Sequence, residues 1–229
     1  MKYMGSKNRI AKDILPIILK DRISEEQYYV EPFCGGCNLI DKIKGNRIAS
    51  DINPYLIAMY QEIQRDWTPR IDYTEDEYKF IKENKQKYPH LAGYFGFALS
   101  YGGKWFGGWR RDKQGKRNYV KEAYNNMLKQ IPSLKGIEFY NLSYDKLDIP
   151  NNSIIYCDIP YRGTTKYNTP FDYDNFYNWC RKMKKQGHKI FISEYNMPKD
   201  FACVWAKEVT SSLTKDTGSK KAIEKLFTI

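Results

Sequence analysis

The sequence predicts an α/β fold with a largely parallel sheet and an antiparallel edge, and three features predict it. Short strand-like runs alternate with segments at helical spacing. Two of those runs, NRIASD and SIIYCD, stop at an aspartate, at the strand ends where ligands bind in open α/β sheets. The last two runs, 203–211 and 222–229, are joined by the polar stretch LTKDTGSKK and read as an edge hairpin.

Taken in order, residues 8–20 place Ile10, Ile14, Ile17 and Ile18 at helical spacing, with Pro16 inside to kink or end the helix. YYVEPF (28–33) reads as a strand, followed by the loop CGGCN and a helix near 38–44. NRIASD (46–51) is the next strand, and a helix follows over 54–66. Residues 67–135 change texture: they are rich in charge, glycine and aromatics and read as an insertion. GIEFYNLS, SIIYCD and HKIFISEY resume the strands, with helices expected near 144–148 and 172–186.

The chain has 229 residues, enough for one medium domain with an insertion. Hydrophobic residues make up 41%, so a sizeable core is affordable. No apolar run approaches the ~18 residues of a membrane span. MKYMGSKNRI lacks the apolar stretch of a signal peptide, so a cytoplasmic protein with five reduced cysteines is expected. The net charge of +11, with 20 tyrosines and 5 tryptophans, points to nucleic acid: cations displace counterions from phosphates, and aromatics stack on bases.

Two stretches carry the chemistry. In VEPFCGGCN, Gly35 and Gly36 let backbone approach a ligand closely, or form an ordinary strand-to-helix turn. Asp51 ends the next strand, where a carboxylate can accept hydrogen bonds from two ribose hydroxyls. The loop is not GxGxxG and no P-loop lysine is near, which favours a nucleoside cofactor without pyrophosphate. CGGC has metal spacing, but Cys157, Cys180, Cys203, His90 and His188 are scattered, and no metal site is expected. In YCDIPYRG, Asp158, Ile159, Pro160 and Tyr161 fit a site for an exocyclic amino group. The Asp158 carboxylate and the Ile159 carbonyl each accept one amino hydrogen, which frees the nitrogen lone pair. Pro160 stiffens the turn, and Tyr161 stacks on a flat base. A strand end with an ordinary X-Pro turn is the plainer reading.

Four stretches in this order resemble the Dam-like (D12 class, α-type) adenine-N6-specific DNA methyltransferases: KYMGSK (2–7), VEPFCGG (30–36), SDIN (50–53) and DIPY (158–161). KKAIEKLF resembles the family's closing segment. DIPY departs from the usual DPPY, and cysteine stands where the glycine loop often has a small or aliphatic residue. The resemblance implies a Rossmann-like S-adenosylmethionine-dependent methyltransferase sheet. The catalytic domain would be residues 1–66 and 136–229, with an inserted target-recognition region over 67–135. It implies S-adenosylmethionine contacts from Tyr3, Met4, Gly5, Lys7, Glu31, Pro32, Phe33, Gly35, Asp51, Ile52, Ser143, Tyr144 and Asp158. Lys7 would hold the cofactor carboxylate and Asp51 the ribose. It implies a flipped adenine in double-stranded DNA as substrate, in a bacterial cell or phage-infected host, with no membrane and no obligate protein partner.

Within the insertion, YGGKWFGGWRRDKQGKR (101–117) sets Lys104, Arg110, Arg111, Lys113, Lys116 and Arg117 among glycines and aromatics. Lys104, Arg110, Arg111, Lys116 and Arg117 are the expected DNA contacts. Trp105, Phe106 and Trp109 are expected to pack. Three other readings stay open: a cytosine-N4 DNA or RNA methyltransferase, an inactive DNA-binding relative, and a nucleotide-dependent oxidoreductase. The missing GxGxxG disfavours the last.

Overall fold

In the computed structural model, residues 1–112, 114–162, 171–211 and 220–229 are described, except the side chains of 210, 211, 220 and 221. Seven strands form one sheet: β1 (Tyr29–Glu31), β2 (Arg47–Ser50), β3 (Ile137–Tyr140), β4 (Ile154–Asp158), β5 (Lys189–Ser193), β6 (Ala202–Ser211) and β7 (Lys220–Thr228). Their order is β3-β2-β1-β4-β5-β7-β6. The first five are parallel, and β7 runs antiparallel to both β5 and β6. This is the α/β fold with a largely parallel sheet and an antiparallel edge hairpin that the sequence predicts. The order reverses between β1 and β4, and ligands bind at such a switch point beyond the strand ends.

Alternation along the strands sorts side chains onto two faces. Tyr29, Ala49, Ile154, Tyr156, Phe191 and Leu226 join the core on one face. Val30, Ile48, Ile155, Cys157, Ile190, Ile192 and Phe227 join the core on the other. Continuing the alternation puts Glu31, Asp158, Ser193 and Glu224 on the first face, in a polar row where the apolar rows end.

The first face is covered by α1 (Ala11–Ile18), α2 (Pro54–Gln64) and α5 (Tyr119–Leu134). Ile10, Ile14 and Ile18 are buried at the expected spacing, and the helix ends two residues after Pro16. α2 starts where Asn53 Oδ1 accepts from the Tyr55 and Leu56 amides at 3.1 and 3.2 Å, with Pro54 in the first turn. Between α2 and α5 the chain forms α3 (Glu75–Glu83) and α4 (Pro89–Phe97). The α3 start is a capping box of Thr74 and Glu77. Gln130 on α5 is buried against the loop after β1, so this helix reaches the sheet core.

α6 (Tyr173–Lys185) covers the second face with Phe176, Tyr177, Trp179, Cys180 and Met183. Each such side chain contributes about 1.5–3 kcal/mol of burial. Asp172 caps its start, and Lys182, Lys184 and Lys185 sit in its last turn, where they favour the helix dipole.

Two expected helices are corrected. Residues 38–44 form only a single 3-10 turn, Ile40–Lys42, because Cys37 enters with φ 53° and the remaining stretch is too short to sustain an α-helix. Residues 144–148 form turns instead of a helix. The Ser143 hydroxyl bonds Asp145, the Lys146 amide closes onto the Ser143 carbonyl at 3.0 Å, and Pro150 follows. Lys113 and most of the stretch LTKDTGSKK lie outside the described residues.

Candidate active site

The loop after β1 is fastened from three sides. Asp51, just past β2, accepts the Gly35 amide on Oδ2 at 3.1 Å and the Asn53 amide on Oδ1 at 2.9 Å. Tyr60 on α2 donates to the Gly35 carbonyl at 2.8 Å. Gln130 on α5 donates to the Gly36 and Cys37 carbonyls at 3.0 and 3.2 Å. Tyr60 and Gln130 were not singled out from the sequence. A buried glutamine reaching the loop from 94 residues away leaves no local pattern to read.

The N-terminal segment threads between this loop and residues 97–103. The Met4 amide donates to the Gly103 carbonyl at 3.1 Å. A Cβ at Gly35 would lie 2.7 Å from the Tyr3 ring, and one at Gly103 would lie 2.9 Å from the Tyr3 Cα. Both glycines have positive φ, +44° and +68°. Gly35 therefore gives room to Tyr3 whatever it does for a ligand. Tyr3 in turn packs on Phe97 of α4, ring centroids 4.8 Å apart.

That path delivers Lys7 to the end of β4. Ser6 caps the 3-10 turn Lys7–Arg9, and the Lys7 side chain is buried. Its Nζ lies 2.8 Å from Asp158 Oδ1, donates to the Gly5 carbonyl at 3.1 Å, and sits 4.6 Å from the Tyr161 ring centroid. Burial pulls the Lys7 pKa down, but Asp158 and Glu224 outweigh it, and the net shift is upward. Burial raises the Asp158 pKa, and Lys7 offsets part of that rise. Among the described residues, Asp158 thus has one oxygen engaged by Lys7 and no hydrogen bond recorded at the second.

The rest of the DIPY turn is held in place. Ile159 is buried. The Pro160 carbonyl accepts from Tyr173 at 2.9 Å. Tyr161 donates to Glu224 Oε2 at 2.7 Å and meets Tyr195 edge to face at 4.6 Å. Glu194, at the end of β5, accepts the Arg162 amide at 3.0 Å, and burial raises its pKa. Neither Glu194 nor Glu224 was singled out from the sequence, although Glu224 lies in the closing segment KKAIEKLF.

The β1 side of the switch point carries the other expected cofactor residues. Glu31 is buried, accepts from Tyr29 at 3.0 Å, and has a pKa pushed well up by burial. Pro32 is buried beside it. Phe33 stacks on Tyr144, centroids 5.4 Å apart, so two expected contacts from distant segments share one aromatic cluster. Ile52 is 72% exposed next to Asp51, an apolar side chain on the open side of the crevice. Burial raises the Asp51 pKa, and the two amide bonds oppose that. These donors and acceptors fit a charged nucleoside: an ammonium for a carboxylate, a carboxylate for a diol, and apolar and aromatic surface for a base.

The expected DNA contacts divide. Lys104 and Lys116 are exposed. Arg111 pairs with Glu75, and Arg117 pairs with Glu122, both on the surface. Arg110 is buried, 3.6 Å from Glu122 and over the Tyr119 ring at 4.3 Å. Trp105 stacks on Tyr55, Phe106 lies against Trp105, and Trp109 packs on Tyr78, as the packing expectation had it. Among the described residues no helix is long and apolar enough to cross a membrane, and no three metal-ligating side chains cluster.

Residues 3–101 match the family model described as D12 class N6 adenine-specific DNA methyltransferase, and the match places that stretch in this family. It spans nearly all of KYMGSK, the glycine loop and the Asp51 segment, three of the four motifs on which the resemblance rests. No curated protein sequence matches the chain. Among solved structures, the chain is similar to the tRNA (m1A58) methyltransferase TrmI from Aquifex aeolicus. The TM-score is 0.40, with 10% identity over 95% of this chain and 67% of that one.

Proposed function

We propose, from the D12-class match over residues 3–101, that this methyltransferase moves a methyl group from S-adenosylmethionine to adenine N6 at a specific site in duplex DNA. The observation that carries the reading is the junction of Lys7 with Asp158, which joins the N-terminal motif to DIPY at the switch point of the sheet.

In this reading Lys7 and Tyr3–Gly5 meet the carboxylate end of the cofactor. Glu31, Pro32, Phe33 and Gly35 shape its middle, Asp51 takes the ribose, and Ile52, Ser143 and Tyr144 flank its base. When bound, S-adenosylmethionine supplies an electrophilic methyl on a sulfonium. The adenine is flipped from the duplex, and stacking on Tyr161 offsets about 1–3 kcal/mol of the unstacking cost. Asp158 Oδ2 and the Ile159 carbonyl accept the two N6 hydrogens, which frees the nitrogen lone pair. Lys7 opposes the upward shift that burial gives the Asp158 carboxyl. As the lone pair takes the methyl, N6 becomes cationic and then loses one proton, for which the Asp158 carboxylate is the adjacent acceptor. Residues 67–135 serve as the target-recognition region, with Lys104, Arg111, Lys116 and Arg117 offered to phosphates or base edges.

The test is modified-base sequencing of DNA from a host without its own methyltransferases, expressing the chain or D158A. N6-methyladenine at one short motif, absent with D158A, is the expected result. Soluble protein that leaves adenine unmodified would sink the reading, and marks on cytosine N4 would redirect it.

A further inference from the structure

We propose that Glu224 is a positioning residue for the target base: its carboxylate holds the Tyr161 ring in the orientation that a flipped adenine stacks on. This rests on the N6-adenine reading above. Nothing in the match over residues 3–101 reaches Glu224.

The placement follows from the sheet. β7 pairs with β5 in the register Ser193↔Leu226. Leu226 belongs to the core on the first face, and Glu224, two residues away, points to the same side. It therefore enters the polar row of Glu31, Asp158 and Ser193. A strand lining an apolar sheet face has little reason to carry a half-buried carboxylate there unless that carboxylate has a partner.

Its partner is Tyr161, whose hydroxyl donates to Glu224 Oε2 at 2.7 Å. Burial, then Asp158 and Glu224, push the phenol pKa well up, so the phenol stays protonated and remains a donor. Among the described residues, contacts of three different kinds hold the ring. Glu224 fixes the hydroxyl, Lys7 sits at 4.6 Å from the centroid, and Tyr195 meets it edge to face at 4.6 Å. A ring fixed before the base arrives loses no rotamer freedom on stacking.

The test is a double-mutant cycle of E224A and Y161F, with E224Q as a third variant. It is read in single-turnover methylation of unmethylated DNA with radiolabelled S-adenosylmethionine, and in thermal unfolding without DNA. E224A and Y161F should each slow transfer about tenfold or more, with cofactor Kd within about twofold. The double variant should be no slower than the slower single one. E224Q, whose amide oxygen still accepts from the phenol, should recover most of the rate. An E224A rate within about twofold of the wild type, or a double loss equal to the product of the single losses, overturns the proposal. If the wild type methylates no DNA, the proposed function fails and this proposal falls with it. If the wild type is active, additivity of the two substitutions in unfolding overturns the contact on which this proposal depends.

Discussion

Lys7 Nζ lies 2.8 Å from Asp158 Oδ1, so the first turn of the chain closes on the carboxylate at the end of β4. The Lys7 side chain is 8% exposed and that of Asp158 27% exposed. Removing one partner of such a pair leaves the other charge poorly solvated, and this sets the first prediction. K7M should lower stability by about 1–3 kcal/mol. The folded pKa of Lys7 is raised above its ordinary 10.5. The stabilisation it gives is therefore fully present below pH 10.5 and lost only as pH rises through the higher folded value. Urea unfolding should show a constant gap between wild type and K7M from neutral to mildly alkaline pH. The pH–rate profile should move as well. Without Lys7, Asp158 holds its proton to higher pH, so the acid limb of methyl transfer should shift upward in K7M. An unmoved acid limb would mean that Asp158 is not the group titrating there.

Glu31 gives a prediction of opposite sign. Burial raises its pKa well above the ordinary glutamate value of 4.5, although the Tyr29 hydroxyl opposes this. A carboxyl that binds its proton more tightly when folded makes stability fall as pH rises from 4.5 through the folded value. E31Q removes that dependence, and its amide oxygen can still accept from Tyr29. Its melting temperature should exceed the wild type's at pH 7, and the gap should shrink toward acid. S-adenosylmethionine affinity should fall at the same time, the trade expected when a destabilised group is kept for binding. Differential scanning fluorimetry across pH, with and without cofactor, measures both.

These two groups also show how far the sequence could be read. Glu31, Asp51 and Asp158 each end or follow an apolar run, so strand pattern and site coincide, and the topology puts all three at one crevice. Lys7 was legible through the resemblance of KYMGSK alone, since a lysine in a helical pattern says nothing about a partner 151 residues on. Tyr60 and Gln130 left no signal, because each acts through a contact that only the packed sheet and helices create; Glu194 follows an apolar run as Asp51 does, and Glu224 lies in the closing segment, but neither pattern says what the carboxylate touches. The helices α3 and α4 were missed because aromatic and charged residues dominate that block and blur its apolar period. Arg110 shows the reverse limit. Its sequence neighbourhood is that of a phosphate contact, yet its own environment is a carboxylate and a tyrosine ring.

The threading of Tyr3 past two glycines predicts distinct behaviour at each. G35A places a Cβ 2.7 Å from a ring atom of Tyr3, at φ +44°. G103A places one 2.9–3.0 Å from Tyr3 backbone atoms, at φ +68°. Both should destabilise by about 1–3 kcal/mol through crowding and strain. Y3A removes the ring but leaves the backbone. It should therefore recover part of the G35A loss and none of the G103A loss. Chemical denaturation of the three single variants and of the Y3A/G35A and Y3A/G103A doubles decides this. Equal rescue at both positions would refute the steric assignment.

Arg110 and the exposed lysines separate stability from DNA binding. Arg110 is buried between Glu122 and the Tyr119 ring, and it donates to the Ala98 carbonyl at 3.4 Å. Replacing it by alanine leaves that carbonyl and Glu122 without a buried cation, at a cost of about 1–3 kcal/mol. Lys104 and Lys116 are exposed and make no such contact in the core. K104A and K116A should leave unfolding within about 0.5 kcal/mol of the wild type. Each should nevertheless weaken DNA binding and lower the slope of log affinity against log salt by about 1, the mark of one lost phosphate contact. Arg111 and Arg117 lie between these cases. Their surface pairs with Glu75 and Glu122 are worth little, so a phosphate can displace either carboxylate. R111A and R117A should then resemble the lysine variants in salt slope. Fluorescence anisotropy with a labelled duplex over a range of salt concentrations, run beside urea unfolding, measures all five variants. If R110A lowers the salt slope without lowering stability, its guanidinium leaves Glu122 and reaches DNA. If K104A and K116A leave the slope unchanged, the DNA path runs elsewhere on the insertion.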